Sequence, residues 1–277
     1  RWVAIVVQLM LMVSVQSIQW TSIENRVPSL TVPGPLVVDS VLQPDYVPEK
    51  PNSKLVFCRE RNGWCPFSER VWLALEVKGV DFDTVLIDNM GYDRPGWYSG
   101  QTPQCKFVGG ERFQGESISL VEQIDAEYPD GQPLYPKDRA NEVKTTIASF
   151  KRIFPRYTRP SSRAAFLFQG SGDVLWESDF RKSLEGVEEM LASAHEKWGG
   201  PFMCGEQVTA ADCCWAPFLE RWAAQLPLLH QGLFANDPER YPRLASWYEA
   251  MDTLVPCYAS RVKGDAASWC KVLQQQG

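Results

Sequence analysis

The chain has 277 residues, 44% of them hydrophobic, which is enough for one large domain or two ordinary ones around a sizeable core. A formal charge of −6 and the lack of any long Lys/Arg cluster exclude a surface that tracks nucleic-acid phosphates, so a small molecule or a protein is the expected partner. Eight cysteines are too sparse here for a disulfide framework, and two histidines with no C-x-x-C pair make a metal site unexpected.

The opening run "WVAIVVQLMLMVSV", Trp2 to Val15, is too short to span a bilayer comfortably. It reads either as the core of a signal peptide or as the product of wrongly extended translation. From Thr21 to Ser53 there are six prolines and no sustained period, the pattern of an extended leader or linker. Residues 1–53 are therefore expected to be a leader, with a targeting segment as one possibility for its apolar start.

After Lys54 short β-like runs alternate with helical ones. "KLVFC" reads as a strand, Phe67, Val71, Ala74 and Leu75 recur at helical spacing, and "FDTVLI" reads as a second strand, giving a βαβ unit. A loop follows, "DNMGYDRPGWYSGQTPQ", and then "CKFV" and "ERFQ" flank Gly109 and Gly110 as a β-hairpin. A helix is predicted over 117–128, with Val121, Ile124 and Tyr128 on one face. The order β-α-β, loop, β-β-α over residues 54–136 is that of a compact α/β sheet domain.

Beyond Pro136 helices dominate, predicted over 142–154 and over 174–198. In "VTAADCCWAPFLERWAAQL", Thr209 and Asp212 have the spacing of a capping box, with Val208 and Cys213 as a staple. A further helix opens at "YPRLASWYEAM", with Pro242 at its first position and Leu244, Trp247, Tyr248 and Met251 as its apolar stripe. Residues 137–277 are expected to form an all-helical domain.

Chemistry concentrates at "RNGWCPFSERVWLALEVKGV". Cys65 precedes Pro66, which suits the first turn of a helix, so the thiol sits beside unpaired N–H groups at the positive end of the dipole. A thiolate is stabilised there, and its pKa is expected below the roughly 8.5 of a free cysteine. The other reading is a buried, inert thiol. The fourth position of the turn is Ser68 rather than a second cysteine, so a mixed disulfide on Cys65 has to be resolved by an outside thiol; Ser68 can also donate to the thiolate.

The motif "GWCPFSERVWLALEVKGV" resembles the active-site segment of cysteine-type glutathione transferases: the omega and lambda classes, the dehydroascorbate reductases and the related chloride intracellular channel proteins. The resemblance continues through "GESISLVEQIDAEYP", "TAAD" and "YPRLASWYEAM". It implies the glutathione transferase fold, an α/β thioredoxin-like N-terminal domain followed by an all-α helical C-terminal domain. It also implies that Cys65 is the catalytic thiol and that glutathione is the co-substrate. By the same resemblance Phe67 lies in the turn against the peptide, Thr102 and a cis Pro103 pair with its cysteinyl part, Glu116 and Ser117 hold its γ-glutamyl end, and Arg94 faces its glycine carboxylate.

Ser117 has the alternative reading of a helix N-cap, and Arg94 that of an exposed loop charge. Trp215, Phe218, Trp222 and Tyr248 line either an acceptor cleft or the core. The implied activity is glutathione-dependent thiol transfer or reduction, spanning deglutathionylation, dehydroascorbate reduction and conjugation, on a small electrophilic or oxidised substrate. A homodimer is implied by family alone. The alternative on the same fold is a noncatalytic or redox-regulated, membrane-associated binding protein. That alternative is disfavoured because Val71–Val80, interrupted by Glu76 and Lys78, is too short to span a bilayer. A cytoplasmic or organellar reducing compartment suits the thiols.

Overall fold

The computed structural model describes residues 35–49, 51, 53–89, 94–153 and 176–274. The signal-like run Trp2–Val15, residues 90–93 of the predicted loop, Phe154 and Val174 lie outside them.

Strands β1 (Val37–Asp39), β2 (Leu55–Glu60), β3 (Phe82–Ile87) and β4 (Gln104–Phe107) form one sheet in the order β1-β3-β2-β4. Strand β2 pairs parallel with β3, Leu55 facing Phe82, as the βαβ reading requires; β1 also runs parallel to β3, and β4 runs antiparallel to β2 with Leu55 facing Phe107. Period-two alternation along β2 separates two cores: Leu55 and Phe57 go with Cys105 and Phe107 to one face, while Val56 and Cys58 go with Val85, Ile87 and Tyr98 to the other.

Strand β1 lies inside the stretch that the proline count marks as linker. Three residues are too few for a periodic signal, and the strand is held by a remote group. Asp83, buried on β3, accepts from Leu36 N (2.9 Å) and Ser53 Oγ (2.9 Å), fastening both flanks of that stretch to the sheet edge. The predicted hairpin is only half formed. Gly109, at φ 78°, makes the turn, but the return leg pairs through Cys105 and Gln114 alone, with N–H to C=O distances of 2.8 Å each way.

Helix α1 (Pro66–Lys78) connects β2 to β3, and α2 (Ser117–Glu127) follows β4. The regular elements beyond are helical among the described residues: α3 (Ala140–Ile153), α4 (Glu177–Trp198), α5 (Ala210–Leu229), α6 (Pro242–Leu254), a π-helical turn (Tyr258–Val262) and α7 (Ala266–Gln274). Both halves of the Thr209–Asp212 capping box form at the start of α5. Asp212 does more than cap: its buried carboxylate also accepts from Met203 N and Trp247 Nε1, both at 2.9 Å, tying the preceding loop and α6 to α5.

Helix α5 is buried on nearly all sides, and Trp215, Phe218 and Trp222 are core side chains at 2% exposure or less. Tyr248 is half-buried and donates its hydroxyl to Leu219 O at 2.7 Å. The sheet, α1, α2 and the later helices share one apolar core. Where α1 meets α5, Arg221 bonds Glu69 at 2.8 Å and Glu220 at 3.1 Å, and Tyr258 donates to Glu220 at 3.1 Å.

Candidate active site

Cys65 is the N-cap of α1, with extended backbone (φ −79°, ψ 109°), and Pro66 opens the helix. That placement follows from local chemistry, since proline's fixed φ and missing N–H suit a first turn. A buried carboxylate holds the approach: Glu60 at the end of β2 accepts from Trp64 N at 2.6 Å, from Asn62 N at 3.0 Å and from Asn62 Nδ2 at 3.0 Å, shaping the turn that presents Cys65. Cys65 is buried, 7% exposed as a residue, and its Sγ donates to Thr102 O at 3.5 Å.

Thr102–Pro103 is a cis peptide bond leading into β4. Thr102 is itself fixed by a relay through the loop. Arg94 donates Nη1 to Gly100 O at 2.8 Å, Nε to Asp88 O at 3.3 Å and Nη2 to Asn89 Oδ1 at 2.9 Å, and Asn89 Nδ2 then donates to Thr102 Oγ1 at 2.5 Å. The guanidinium is thus engaged with its own loop, and neither an idle surface charge nor a free group describes it.

The Cys105–Gln114 bridge brings the start of α2 to the same end of the sheet. Extending its antiparallel register by two residues sets Pro103 opposite Glu116. Glu116 is the N-cap of α2 and sits at φ 65°, a conformation that a residue with a Cβ rarely adopts, while its side chain stays exposed. Ser117 is therefore the first helical residue and not the cap. It is buried, and its Oγ accepts from Arg70 Nη1 at 3.5 Å. Such a helix start, with free N–H groups and a hydroxyl, suits a carboxylate.

Phe67 is half-buried, edge-to-face with Phe218 at 5.8 Å. Ser68 is buried, and its hydroxyl has no hydrogen-bond partner among the described residues. Cys65, Thr102, Pro103, Glu116 and Ser117 thus gather at the carboxyl end of β2 and the starts of α1 and α2. Arg94 reaches that end through Asn89, not directly. Glu60, Asn89 and Arg70 were missed, because their partners are backbone atoms or lie far along the chain.

All eight cysteines are free thiols. Burial pushes Cys204 up to about 12 and Cys214 up to about 11, and it raises Cys58, Cys105 and Cys213 as well, so these five are poor nucleophiles near neutral pH. Among the described residues no group of three or more His, Cys, Asp or Glu is arranged to hold a metal.

A sheet of this topology with a helix-capping cysteine facing a cis-proline edge, followed by helices, defines a thioredoxin-like layer fused to a helical one. Two family models fit that division: the glutathione S-transferase N-terminal domain over residues 64–108 and the C-terminal domain over residues 138–250. The chain is 30% identical over 198 residues to pyrimidodiazepine synthase of Drosophila melanogaster, covering 68% of this chain and 73% of that one. It is 26% identical over 203 residues to glutathione S-transferase L1 of Arabidopsis thaliana, covering 69% and 76%. A glutathione transferase homologue of Drosophila mojavensis, solved with bound glutathione, shares the fold at a TM-score of 0.60 and 16% identity, over 80% of this chain and 97% of that one. The chain belongs to the glutathione S-transferase family.

Proposed function

We propose that this protein is a glutathione-dependent thiol transferase of the cysteine type, working through Cys65. The observation that carries the reading is the Cys65 thiol at the cap of α1, 3.5 Å from Thr102 O beside Pro103. With Glu116 and Ser117 at the same end, the Thr102 edge suits the peptide backbone of glutathione, and the α2 start suits its γ-glutamyl end. Phe67 walls the turn, and the unpartnered Ser68 hydroxyl is free to donate to the sulfur. Arg94 stiffens the loop behind Thr102.

The Cys65 thiolate attacks the glutathionyl sulfur of a mixed disulfide. A Cys65–glutathione disulfide forms, the old S–S bond breaks, and the substrate leaves as a thiolate that takes up a proton. A second glutathione thiolate then attacks that disulfide, releasing oxidised glutathione and restoring the Cys65 thiolate. With Ser68 in place of a second cysteine, the resolving thiol comes from solution. Dehydroascorbate is a second acceptor class for the same thiol, and the chemistry belongs in a reducing compartment.

Among the described residues no helix is long and apolar enough to cross a membrane. The experiment is turnover of a glutathionylated peptide by wild type and Cys65→Ser. Loss of activity in the variant is expected, and full retention overturns the reading.

A further inference from the structure

Helix α5 carries a polar row into the interior: Glu220, Arg221 and Gln225 are each 4% exposed or less. Polar groups at that depth are costly unless they are bonded. On one side the row meets the π-helical turn and α7. Glu220 Oε2 accepts from Tyr258 OH at 3.1 Å and from Gly264 N at 3.3 Å, Gln225 Nε2 donates to Trp269 O at 3.1 Å, and Cys270 Sγ donates to Ala224 O at 3.3 Å. The Trp269 ring lies over the Arg221 guanidinium carbon at 4.0 Å, and it packs so closely on Gly264 that a Cβ there would collide with it.

On the other side the row meets α1. Arg221 Nη1 bonds Glu69 Oε2 at 2.8 Å and Glu220 Oε1 at 3.1 Å, and Nη2 donates to Trp64 O at 3.4 Å. Balancing the buried carboxyls uses Nη1, whereas Nη2 is turned to the carbonyl immediately before Cys65. Trp64 N in turn donates to Glu60 Oε2 at 2.6 Å. Trp64 is thus pinned from both layers, by a carboxylate at the end of β2 and by a guanidinium on α5. The peptide plane between Trp64 and Cys65 cannot rotate without breaking the bond to Arg221, and the rotation of that plane sets φ of Cys65 and the direction in which its side chain leaves the backbone.

We infer that Arg221 is a positioning residue for Cys65, holding the turn that presents the thiol, and that residues 258–270 take part in the reactive geometry by seating Arg221 against Trp269. The inference rests on the reading of Cys65 as the reactive thiol. A guanidinium suits the task because its planar fork serves two acceptors at fixed angles, while an ammonium on a flexible stem is a point charge that fixes no direction. The ring face of Trp269 then confines the fork. Arg221 acts on the sulfur through the Trp64 carbonyl, so its effect belongs to the rate of reaction at Cys65 rather than to the hold on glutathione.

The test is turnover of a glutathionylated peptide by the full chain, with kcat and the KM for glutathione read separately, for wild type, Arg221→Lys, Trp269→Leu and Trp269→Phe. Arg221→Lys keeps the charge beside Glu69 and gives up the second arm. A misplacement of about 1 Å costs up to roughly a hundredfold in rate, so kcat is expected to fall about tenfold or more while the KM for glutathione stays within about twofold. Trp269→Leu keeps an apolar side chain and loses the ring face; it is expected to lower kcat in the same sense, and Trp269→Phe to recover most of the loss. An arginine that only balances carboxyls would lower the denaturation midpoint and leave kcat per folded molecule in place. An unchanged kcat in folded Arg221→Lys overturns the inference, and where that variant does not fold, an unchanged kcat in Trp269→Leu overturns it equally.

A second measurement is independent of turnover. Backbone hydrogen exchange over residues 61–72 is expected to be faster in Trp269→Leu than in wild type, with exchange over Phe82–Ile87 the same in both. Equal exchange over residues 61–72 overturns the inference. Failure of the proposed function looks different: Cys65→Ser then keeps its activity, whereas failure here leaves Cys65→Ser inactive and Arg221→Lys at the wild-type kcat.

Discussion

Replacing Glu220 by glutamine is expected to stabilise the protein progressively as pH rises. Glu220 lies on α5 with its side chain 1% exposed, against Glu69 and Arg221, and its Oε2 accepts from Tyr258 OH at 3.1 Å and Gly264 N at 3.3 Å. Two carboxyls share one guanidinium in a site closed to water. Burial, then repulsion from Glu69, pushes the Glu220 carboxyl well above its ordinary range, against the pull of Arg221. The native state therefore keeps Glu220 protonated, where Tyr248 and Tyr258 also remain neutral.

In the unfolded chain a glutamate ionises near pH 4.3. A folded pKa raised above the unfolded value gives stability that is intact below about pH 4.3 and is lost as pH climbs toward the folded pKa, at up to about 1.4 kcal/mol per pH unit. Glutamine copies the neutral acid without that loss. Between pH 5 and pH 7 the variant should gain up to about 3 kcal/mol on wild type, roughly 5–11 °C for a chain of this size. Thermal or denaturant unfolding of both proteins across that range measures it. A difference that stays constant with pH would refute the reasoning, because it would mean that Glu220 is ionised in the folded state.

Asp212→Ala removes the acceptor of four hydrogen bonds, from Met203, Thr209 N, Thr209 Oγ1 and Trp247. It is expected to cost at least about 3 kcal/mol in denaturant unfolding, since buried donors are left unpaired. Glu116→Gly relieves a side chain held at φ 65°. It should leave stability unchanged or up by about 1 kcal/mol while raising the KM for glutathione, so the two readouts move apart. Asn89→Ala cuts the relay between Arg94 and Thr102. It should raise the KM for glutathione at a stability cost of about 1 kcal/mol.

What could be read along the chain was what local chemistry determines. Cys65 before Pro66 at a helix start, the Thr209–Asp212 box and the βαβ order all depend on residues a few positions apart. Pro103 and the Glu116–Ser117 pair were placed by resemblance, because a loop and a helix start show their shared geometry only once β4 and Gln114 bring them together. Arg70 was invisible for the opposite reason: an arginine between Glu69 and Val71 reads as part of a solvated helix, and the carbonyl that holds it belongs to Cys214. Strand β1 was hidden by prolines around three residues whose anchor, Asp83, lies on another strand. Sequence periodicity records which face of an element is apolar, and it carries no trace of a polar contact made across the molecule.

The most direct test is to incubate the reduced protein with oxidised glutathione and map the product by mass. The account predicts one glutathione adduct, on Cys65, that is released by reduced glutathione and absent from Cys65→Ser. No adduct on Cys65, or an adduct confined to other cysteines such as Cys257 and Cys270, would contradict it.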